Sequence, residues 1–222
     1  MIGSEIKKSV FRDTYTFYEN SSPEIIVAPQ LVRFVRRNAG KSILDYGFAV
    51  GNYCLHFKQQ GYQTTGVDIN LNYVNRARQR GVNVHHLNGA APFPDKSFDT
   101  VIIFEVLEHL EHPEFVLQDA KRLARKNVLI TTPNSERVDE LRKEGLLFEH
   151  FADLDHKNIF TPESMHQLLS QYFLSVKIKK GNGINPFALS HFSSLRLLGK
   201  ALSYYGILHP YFHYRLFAVC KP

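Results

Sequence analysis

The sequence predicts a doubly wound α/β domain, and three observations support that fold class. Short apolar segments alternate with amphipathic segments between residues 42 and 134, and several of the amphipathic segments end at Gly. Strands that alternate with helices form βαβ units, in which helices cover both faces of a parallel sheet. The 222 residues suit one large domain, and 44% hydrophobic with 22% charged residues argues against a disordered chain.

The elements follow from local patterns. Runs of apolar and β-branched residues predict strands, and amphipathic segments that end at Gly predict helices. Pro29 interrupts the first helical pattern early, whereas Thr161 and Pro162 are typical of a helix start. The predicted elements are helix 24–38, strand 42–47, helix 52–61, strand 63–69, helix 71–81, strands 82–88 and 98–106, helix 115–126, strand 127–134, helix 161–172, and strands 173–180 and 214–221.

Two regions lie outside this alternation. We predict an N-terminal arm and helix over residues 1–38, and a main domain over 39–222 that contains an apolar insert at about 184–212. The insert is more apolar than a hairpin loop requires. Four interpretations stay open: additional core, a lid or wall for an apolar substrate, a surface that touches membrane or lipid, and a dimer face.

The charge is concentrated near the end of the chain. The net charge is +6, yet residues 157–222 hold eight basic residues and one acid, a local charge of +7, while residues 1–156 carry −1. This excludes a uniformly basic nucleic-acid coat, leaves a local basic face open, and modestly favours an anionic or membrane-associated acceptor.

Cellular context is predicted from three negative signals. Two cysteines, Cys54 and Cys220, cannot build a disulfide framework. The first residues contain no apolar stretch typical of a secretory signal, and no run of 18 apolar residues occurs. We therefore expect a cytoplasmic protein without a transmembrane segment.

Two loops carry the chemistry. In open α/β sheets, ligands bind beyond the carboxyl ends of the strands, so the loop over residues 45–51 is a candidate site. Its glycines let the backbone approach a ligand, and it lies between a predicted strand and a predicted helix. Asp68 ends the second strand, 17 residues beyond Gly51. An acid at that position can accept both hydroxyls of a ribose.

Four motifs in order identify a resemblance. They read ILDYGFAVG, GVDI, LNGAAPFPDKSFDTVIIFEVLEHLEHP and VLITTPN, and together the resemblance covers roughly residues 40–180. The sequence resembles the class I S-adenosylmethionine-dependent methyltransferases, in particular the small-molecule type. That resemblance implies a Rossmann-like seven-stranded sheet, mostly parallel with an antiparallel last strand, and helices on both faces. It also implies S-adenosylmethionine as cofactor and S-adenosylhomocysteine as product.

The resemblance implies roles for the first loop and the arm. Asp45, Gly47, Ala49 and Gly51 should surround the methionine part of the cofactor. Tyr18 of the N-terminal arm is a candidate to close over the cofactor. Ala49 stands where the family has its middle glycine, which adds a methyl group near the cofactor.

The resemblance also implies roles along the next strands. Asp68 should bind the ribose hydroxyls, and Ile69 should pack on the adenine. Asn88 and Gly89 should lie beside the adenine amino group, and Glu105 should lie where the chain passes the methionine. Asn88 stands where the family usually has an acid, but a neutral amide can also accept a hydrogen bond.

Acidic residues and histidines form one further pattern. Glu105, Glu108 and His109 have the i, i+3, i+4 spacing that one helical face presents together. Three interpretations stay open. Glu108 and His109 cap and orient a helix start, or His109 is a base that faces the substrate, or all three residues hold a divalent metal together with a distal histidine. An E-x-x-E-H of this kind serves some methyltransferases of quinone precursors or RNA 3′ ends. We assign no metal, and take His109, His150 and His156 as catalytic candidates.

The sequence therefore predicts a methyltransferase that acts on a small-molecule or lipid-like acceptor. Two alternatives stay open. The basic last third and the E-x-x-E-H motif suit an RNA methyltransferase, whereas Ala49 and Asn88 suit a non-catalytic protein with this fold. Peripheral membrane contact is compatible with the sequence, which leaves the oligomeric state undetermined.

Overall fold

The computed structural model describes residues 27–136, 155–184, 187, 192–210 and 212–222. The described strands are β1 (Ser42–Tyr46), β2 (Gln63–Asp68), β3 (Val84–His86), β4 (Phe98–Phe104), β5 (Ala124–Pro133), β6 (Ser175–Ile184) and β7 (Phe212–Lys221). The described helices are α1 (Pro29–Asn38), α2 (Asn52–Gln59), α3 (Leu71–Gln79), α4 (Pro113–Leu123), α5 (Pro162–Leu169) and α6 (Ser193–Tyr204), with a 3-10 turn at Leu107–His109.

The strands form one sheet in the order β3-β2-β1-β4-β5-β7-β6. Strands β1 to β5 pair in parallel, and β7 runs antiparallel to both β5 and β6. Strand β6 therefore points the same way as β1 to β5. The predicted doubly wound sheet, mostly parallel with an antiparallel last strand, is confirmed. The strand order reverses between β1 and β4, which is where such sheets bind ligands.

Helices cover both faces of the sheet. Helix α1 buries Leu31 and Val35 in the same cluster as Ile43 and Ile102, and helices α2 and α3 lie on this face too. Helices α4 and α5 bury Leu117, Leu123, Met165 and Leu169 on the opposite face. Alternate residues of β4 enter the two clusters, as period-two strands require. Helix α1 thus shares its core with the main sheet, and the predicted boundary at residue 38 stays a prediction.

Several element boundaries differ from the predicted ones. Helix α1 begins at Pro29, because the fixed φ of proline suits the first helical turn. Helix α4 ends at Leu123, and the predicted helical residues from Ala124 onward belong to β5, where Ala124 pairs with Phe98. Strand β6 extends to Ile184 and β7 starts at Phe212, so the insert spans 185–211. Thr161 caps α5 as predicted, in a capping box with Ser164.

A buried carboxylate ties α4 to the sheet beneath the candidate site. Asp119 Oδ2 accepts hydrogen bonds from the Tyr46 hydroxyl at 3.2 Å and from the Ala91 N–H at 2.8 Å. Its Oδ1 accepts from Arg122 Nη2 at 2.6 Å. Arg122 also donates to the carbonyl oxygens of Phe93 and Ala91. Asp119 therefore fixes both the residue that ends β1 and the segment that follows β3.

We predict that Asp119→Ala lowers the free energy of unfolding by roughly 3 kcal/mol, because it leaves Arg122 and the Ala91 N–H without their buried acceptor. Urea denaturation followed by circular dichroism measures the change. Lys121→Ala on the same helix is the control and should shift stability by about 0.5 kcal/mol or less. Equal effects of the two substitutions would contradict the role given to Asp119.

Candidate active site

A cleft of about 410 Å³ opens at the carboxyl ends of β1, β2 and β4. It lies at the reversal of strand order, where the fold predicts a ligand. Its lining includes six of the residues predicted from the sequence: Gly47, Ala49, Asp68, Ile69, Glu105 and His109. The apolar part of the wall comes from residues such as Tyr73, Leu87 and Val116.

The loop after β1 adopts a conformation that requires glycine at its start. Gly47 has φ of +81°, and a Cβ there would lie 2.7 Å from Cγ2 of Val106. Its N–H donates to the carbonyl oxygen of Val67 at 2.8 Å, which ties the loop to β2. The loop therefore passes close to both neighbouring strands and leaves its backbone open to the cleft.

Asp68 is the best-organised polar group of the cleft. Its Oδ2 accepts the Ala49 N–H at 3.0 Å, and its Oδ1 accepts the Asn70 N–H at 2.8 Å. Burial raises the pKa of Asp68, and these two N–H donors oppose that increase. Because a carboxylate offers about four lone-pair positions, Asp68 retains capacity for further donors after its backbone hydrogen bonds.

Ala49 keeps the left-handed backbone that glycine would adopt there. Its φ is +50°, a region that costs a residue with a Cβ roughly 1–2 kcal/mol. The substitution of alanine for glycine thus leaves the backbone path and the Ala49 N–H bond to Asp68 intact. It adds one methyl group to the lining of the cleft.

Asp45 lies beneath the cleft. Its side chain is buried, and its Oδ2 accepts a hydrogen bond from Cys54 Sγ at 3.5 Å. Burial raises the pKa of Asp45 to about 7, and the nearby charge of Asp68 adds to that increase. Asp45 is therefore buried outside the described lining of the cleft. Its predicted position around the methionine part stays a prediction.

Glu105 leaves β4 in a strained backbone conformation, with φ of +53°. Its Oε2 accepts a hydrogen bond from Arg215 Nη2 at 3.2 Å, so β4 and β7 are joined across β5. The other oxygen, Oε1, is buried and has no hydrogen-bond partner among the residues that the structure describes. Since Glu105 lines the cleft, this acceptor oxygen lies next to the cleft but is not exposed in it.

The acid–histidine pattern folds differently from the prediction. Glu105, Glu108 and His109 do not share one α-helical face, because the chain turns at Glu105 and continues as a single 3-10 turn. Helix α4 begins later, at Pro113, so Glu108 and His109 do not cap it. That interpretation was wrong, because helical spacing arranges side chains only where a helix forms.

The structure instead assembles Glu108, His109 and His156. One potential ligand atom from each lies within 4.8 Å of the other two. The rings of His109 and His156 are 4.8 Å apart between centroids. Two of the three predicted catalytic histidines are therefore adjacent, and one of them, His109, lines the cleft.

Backbone hydrogen bonds bring His156 to this position. The N–H groups of Lys157 and Asn158 both donate to the Glu108 carbonyl oxygen, at 2.7 and 3.0 Å. The Asn158 side-chain amide donates to the carbonyl oxygens of Leu107 and Leu110. Asp155 and Lys157 consequently line the cleft. Sequence reasoning missed these two residues, because pairing with a 3-10 turn 50 residues earlier leaves no local signal.

Comparison with known proteins gives the family. A family model described as a methyltransferase domain matches residues 24–176. The chain belongs to the class I S-adenosylmethionine-dependent methyltransferases. Since the match covers the loop after β1, Asp68 and the acid–histidine segment, it includes every residue discussed above at the cleft except Arg215.

Two relatives and one structure locate this methyltransferase among known proteins. A demethylmenaquinone methyltransferase of Tropheryma whipplei is 32% identical over 92 residues, which cover 39% of this chain and 38% of that protein. A ubiquinone biosynthesis O-methyltransferase of Rickettsia bellii is 24% identical over 156 residues, which cover 63% of each. This chain therefore spans less than two thirds of either relative.

The structural comparison covers nearly the whole chain. A crystal structure of an S-adenosylmethionine-dependent methyltransferase from Archaeoglobus fulgidus matches with a TM-score of 0.64 and 20% identity. The match covers 95% of this chain and all of the other. At that identity, the likeness establishes the fold.

The remaining predicted residues of this methyltransferase lie elsewhere. Gly51, Asn88 and Gly89 are outside the described lining of the cleft. Gly51 instead starts α2 with φ of +78°. Tyr18 and His150 lie outside the described residues. The roles assigned to these residues stay predictions.

Asp45 generates a pH-dependent stability. Its folded pKa of about 7 exceeds its ordinary value of 3.8, so the folded state binds the proton more tightly. Its contribution is complete below its ordinary pKa and is lost as the pH rises through about 7. We predict that the free energy of unfolding decreases less in Asp45→Asn than in the wild type when the pH is raised from about 5 to about 8.

Urea denaturation at both pH values measures this difference. Glu163→Gln is the control, because Glu163 is exposed on α5, and it should keep the wild-type dependence. Identical pH slopes for Asp45→Asn and the wild type would show that the buried carboxyl does not bind a proton near neutral pH.

Proposed function

We propose that this chain transfers a methyl group from S-adenosylmethionine to a quinone-like small molecule. The observation that carries the proposal is the Asp68 carboxylate, which two backbone N–H groups hold at the wall of a cleft with its remaining lone pairs available. Family membership and the names of the relatives support the cofactor and the acceptor class.

The residues present fit the cofactor. The two oxygens of Asp68 would accept the two ribose hydroxyls, and Ile69, which is 69% exposed in the cleft, would pack on the adenine. Gly47 lets the backbone come close to the methionine part. Oε1 of Glu105 has no partner among the described residues, and it would accept a hydrogen bond from the ammonium group of that part once the side chain turns toward the cleft. When bound, the cofactor supplies an electrophilic methyl group on a sulfonium.

The protein then has two tasks. The cleft must hold the acceptor oxygen about 3–3.5 Å from the methyl carbon, because such positioning lowers the barrier by several kcal/mol. A base must take the proton of an acceptor hydroxyl as the carbon–oxygen bond forms and the carbon–sulfur bond breaks. His109 lines the cleft and its ring contacts that of His156, which is not in the described lining, so His109 is the candidate base.

One prediction of the proposed function concerns cofactor affinity. Asp68→Asn should weaken the binding of S-adenosylmethionine at least about ten-fold, because an amide replaces one of the two acceptor oxygens with a donor. Isothermal titration calorimetry measures the dissociation constant. Glu163→Gln removes the same charge from an exposed helix position and should bind like the wild type.

Unchanged affinity in Asp68→Asn would contradict the ribose assignment. Absence of binding by the wild type at millimolar cofactor would overturn the proposed function. Binding without turnover of any acceptor would favour the non-catalytic alternative.

The second prediction concerns the base. With a hydroxylated quinol as acceptor, formation of S-adenosylhomocysteine should fall about 10²–10⁴-fold in His109→Gln, the range for loss of a general base. The Michaelis constant for S-adenosylmethionine should change little. His112→Gln is the control, because His112 is exposed and pairs with Glu114.

A chelator separates the two roles open to the histidines. If His109 acts as a base, activity persists in the presence of a chelator. If Glu108, His109 and His156 hold a divalent ion, the chelator abolishes activity and added metal restores it. Wild-type activity in His109→Gln would contradict both roles.

A further inference from the structure

Helix α6 turns its apolar side outward. Leu197 is 70% exposed, Leu198 is 47% exposed and Tyr204 is 85% exposed. The one fully buried residue of α6 is Gly199. Arg196, a charged residue of the same helix, is half-buried and thus less exposed than these apolar residues. A surface helix ordinarily buries its apolar stripe and exposes its polar face. The interpretation of the insert as additional core is therefore wrong for this helix.

The apolar surface continues beyond the helix. Phe192 precedes α6, and Tyr205 and Ile207 follow it, each about 70% exposed or more. We call these residues together with Leu197, Leu198 and Tyr204 the insert patch. Single exposed apolar side chains need no explanation, but six large ones within 16 residues mark a surface that contacts something else.

Charge indicates what that surface contacts. Arg196 and Lys200 lie on α6 itself, and the sequence contains no Asp or Glu after Glu163. A second copy of the chain would bring one cationic surface against another, which costs free energy. An anionic surface would instead complement the charge.

A second basic feature adjoins the insert. A cleft of about 700 Å³ lies between α1 and the face of β6 and β7 that packs toward α1. Five cationic side chains line it, and none of its described lining residues is acidic. We call it the basic cleft. Its cations are Arg33, Arg37, Lys177, Lys179 and Lys221.

Edge strands often carry lysines that prevent sheet-to-sheet pairing, which accounts for Lys177 and Lys179 alone. It does not account for the arginines of α1 that face the same cleft.

The basic cleft reaches the base of the insert. Its lining ends at Gly181 and Asn182. The next residue, Gly183, packs so closely against Pro210 that a Cβ would lie 2.5 Å from the proline ring. Because β6 runs parallel to β1 to β5, the insert leaves the sheet at the same edge as the candidate active site.

We propose that the insert patch binds the surface of an anionic lipid bilayer. The apolar side chains of α6 enter the boundary between headgroups and acyl chains, and Arg196, Lys200 and the basic cleft attract the headgroups. Membrane binding itself does not depend on the proposed function. Its purpose does rest on that function: the protein would take an apolar acceptor from the bilayer at the edge where methyl transfer occurs.

Vesicle sedimentation tests the proposal with the full chain and without cofactor. We expect binding to vesicles that contain phosphatidylglycerol, weaker binding to pure phosphatidylcholine, and a loss of the difference at high salt. Leu197→Glu combined with Leu198→Glu should abolish binding. Phe115→Glu is the matched control, because Phe115 is 68% exposed on α4, and it should bind like the wild type.

The basic cleft is tested separately. Lys177→Gln and Lys179→Gln should each lower the partition coefficient on anionic vesicles about five-fold, and Lys121→Gln on α4 should lower it less. Circular dichroism and calorimetry with S-adenosylmethionine show whether the variants remain folded and bind cofactor.

Three results would overturn the proposal. They are absence of vesicle binding by the wild type, equal loss in Phe115→Glu, and a wild-type dimer in solution that the Leu197 and Leu198 substitutions dissociate. The two proposals can be separated with Asp68→Asn. If this variant no longer binds cofactor but still binds vesicles, membrane binding does not depend on the proposed function.

Discussion

The hydrogen bonds that Asp68 accepts hold the candidate site together. One oxygen binds the N–H of the loop after β1, and the other binds the N–H that starts the turn into α3. Two loops that ligands would otherwise have to organise are thus fixed to one buried carboxylate. The hydrogen bond from the Ala49 N–H to Asp68 helps to hold Ala49 at its positive φ, because a strained backbone persists only where the surrounding structure fixes it.

The same edge of the sheet collects the remaining groups. Parallel pairing of β1, β2 and β4 brings Gly47, Asp68 and Glu105 together, and the Glu108 carbonyl oxygen anchors the segment that carries His156. The groups that we propose for cofactor binding and for proton acceptance therefore lie around one cleft. The inserted helix leaves the sheet at this edge, so a lipid surface there would lie on the same side of the molecule as the chemistry.

Sequence patterns predicted the parts that depend on local order. The alternation of strands and helices predicted the sheet, and the position of Asp68 at the end of a strand predicted its place in the cleft. They misjudged Glu105, Glu108 and His109, because the positive φ of Glu105 depends on tertiary packing and interrupts the helical spacing. They left open whether the insert is core or surface, since burial depends on the orientation of the whole helix rather than on its residues alone.

The most direct test of the central claim is a crystal structure of the chain with S-adenosylhomocysteine. The account predicts both ribose hydroxyls within hydrogen-bond distance of the Asp68 carboxylate, the adenine against Ile69, and the ammonium group near Glu105 Oε1. A ligand bound elsewhere, or one whose ribose does not contact Asp68, would contradict it.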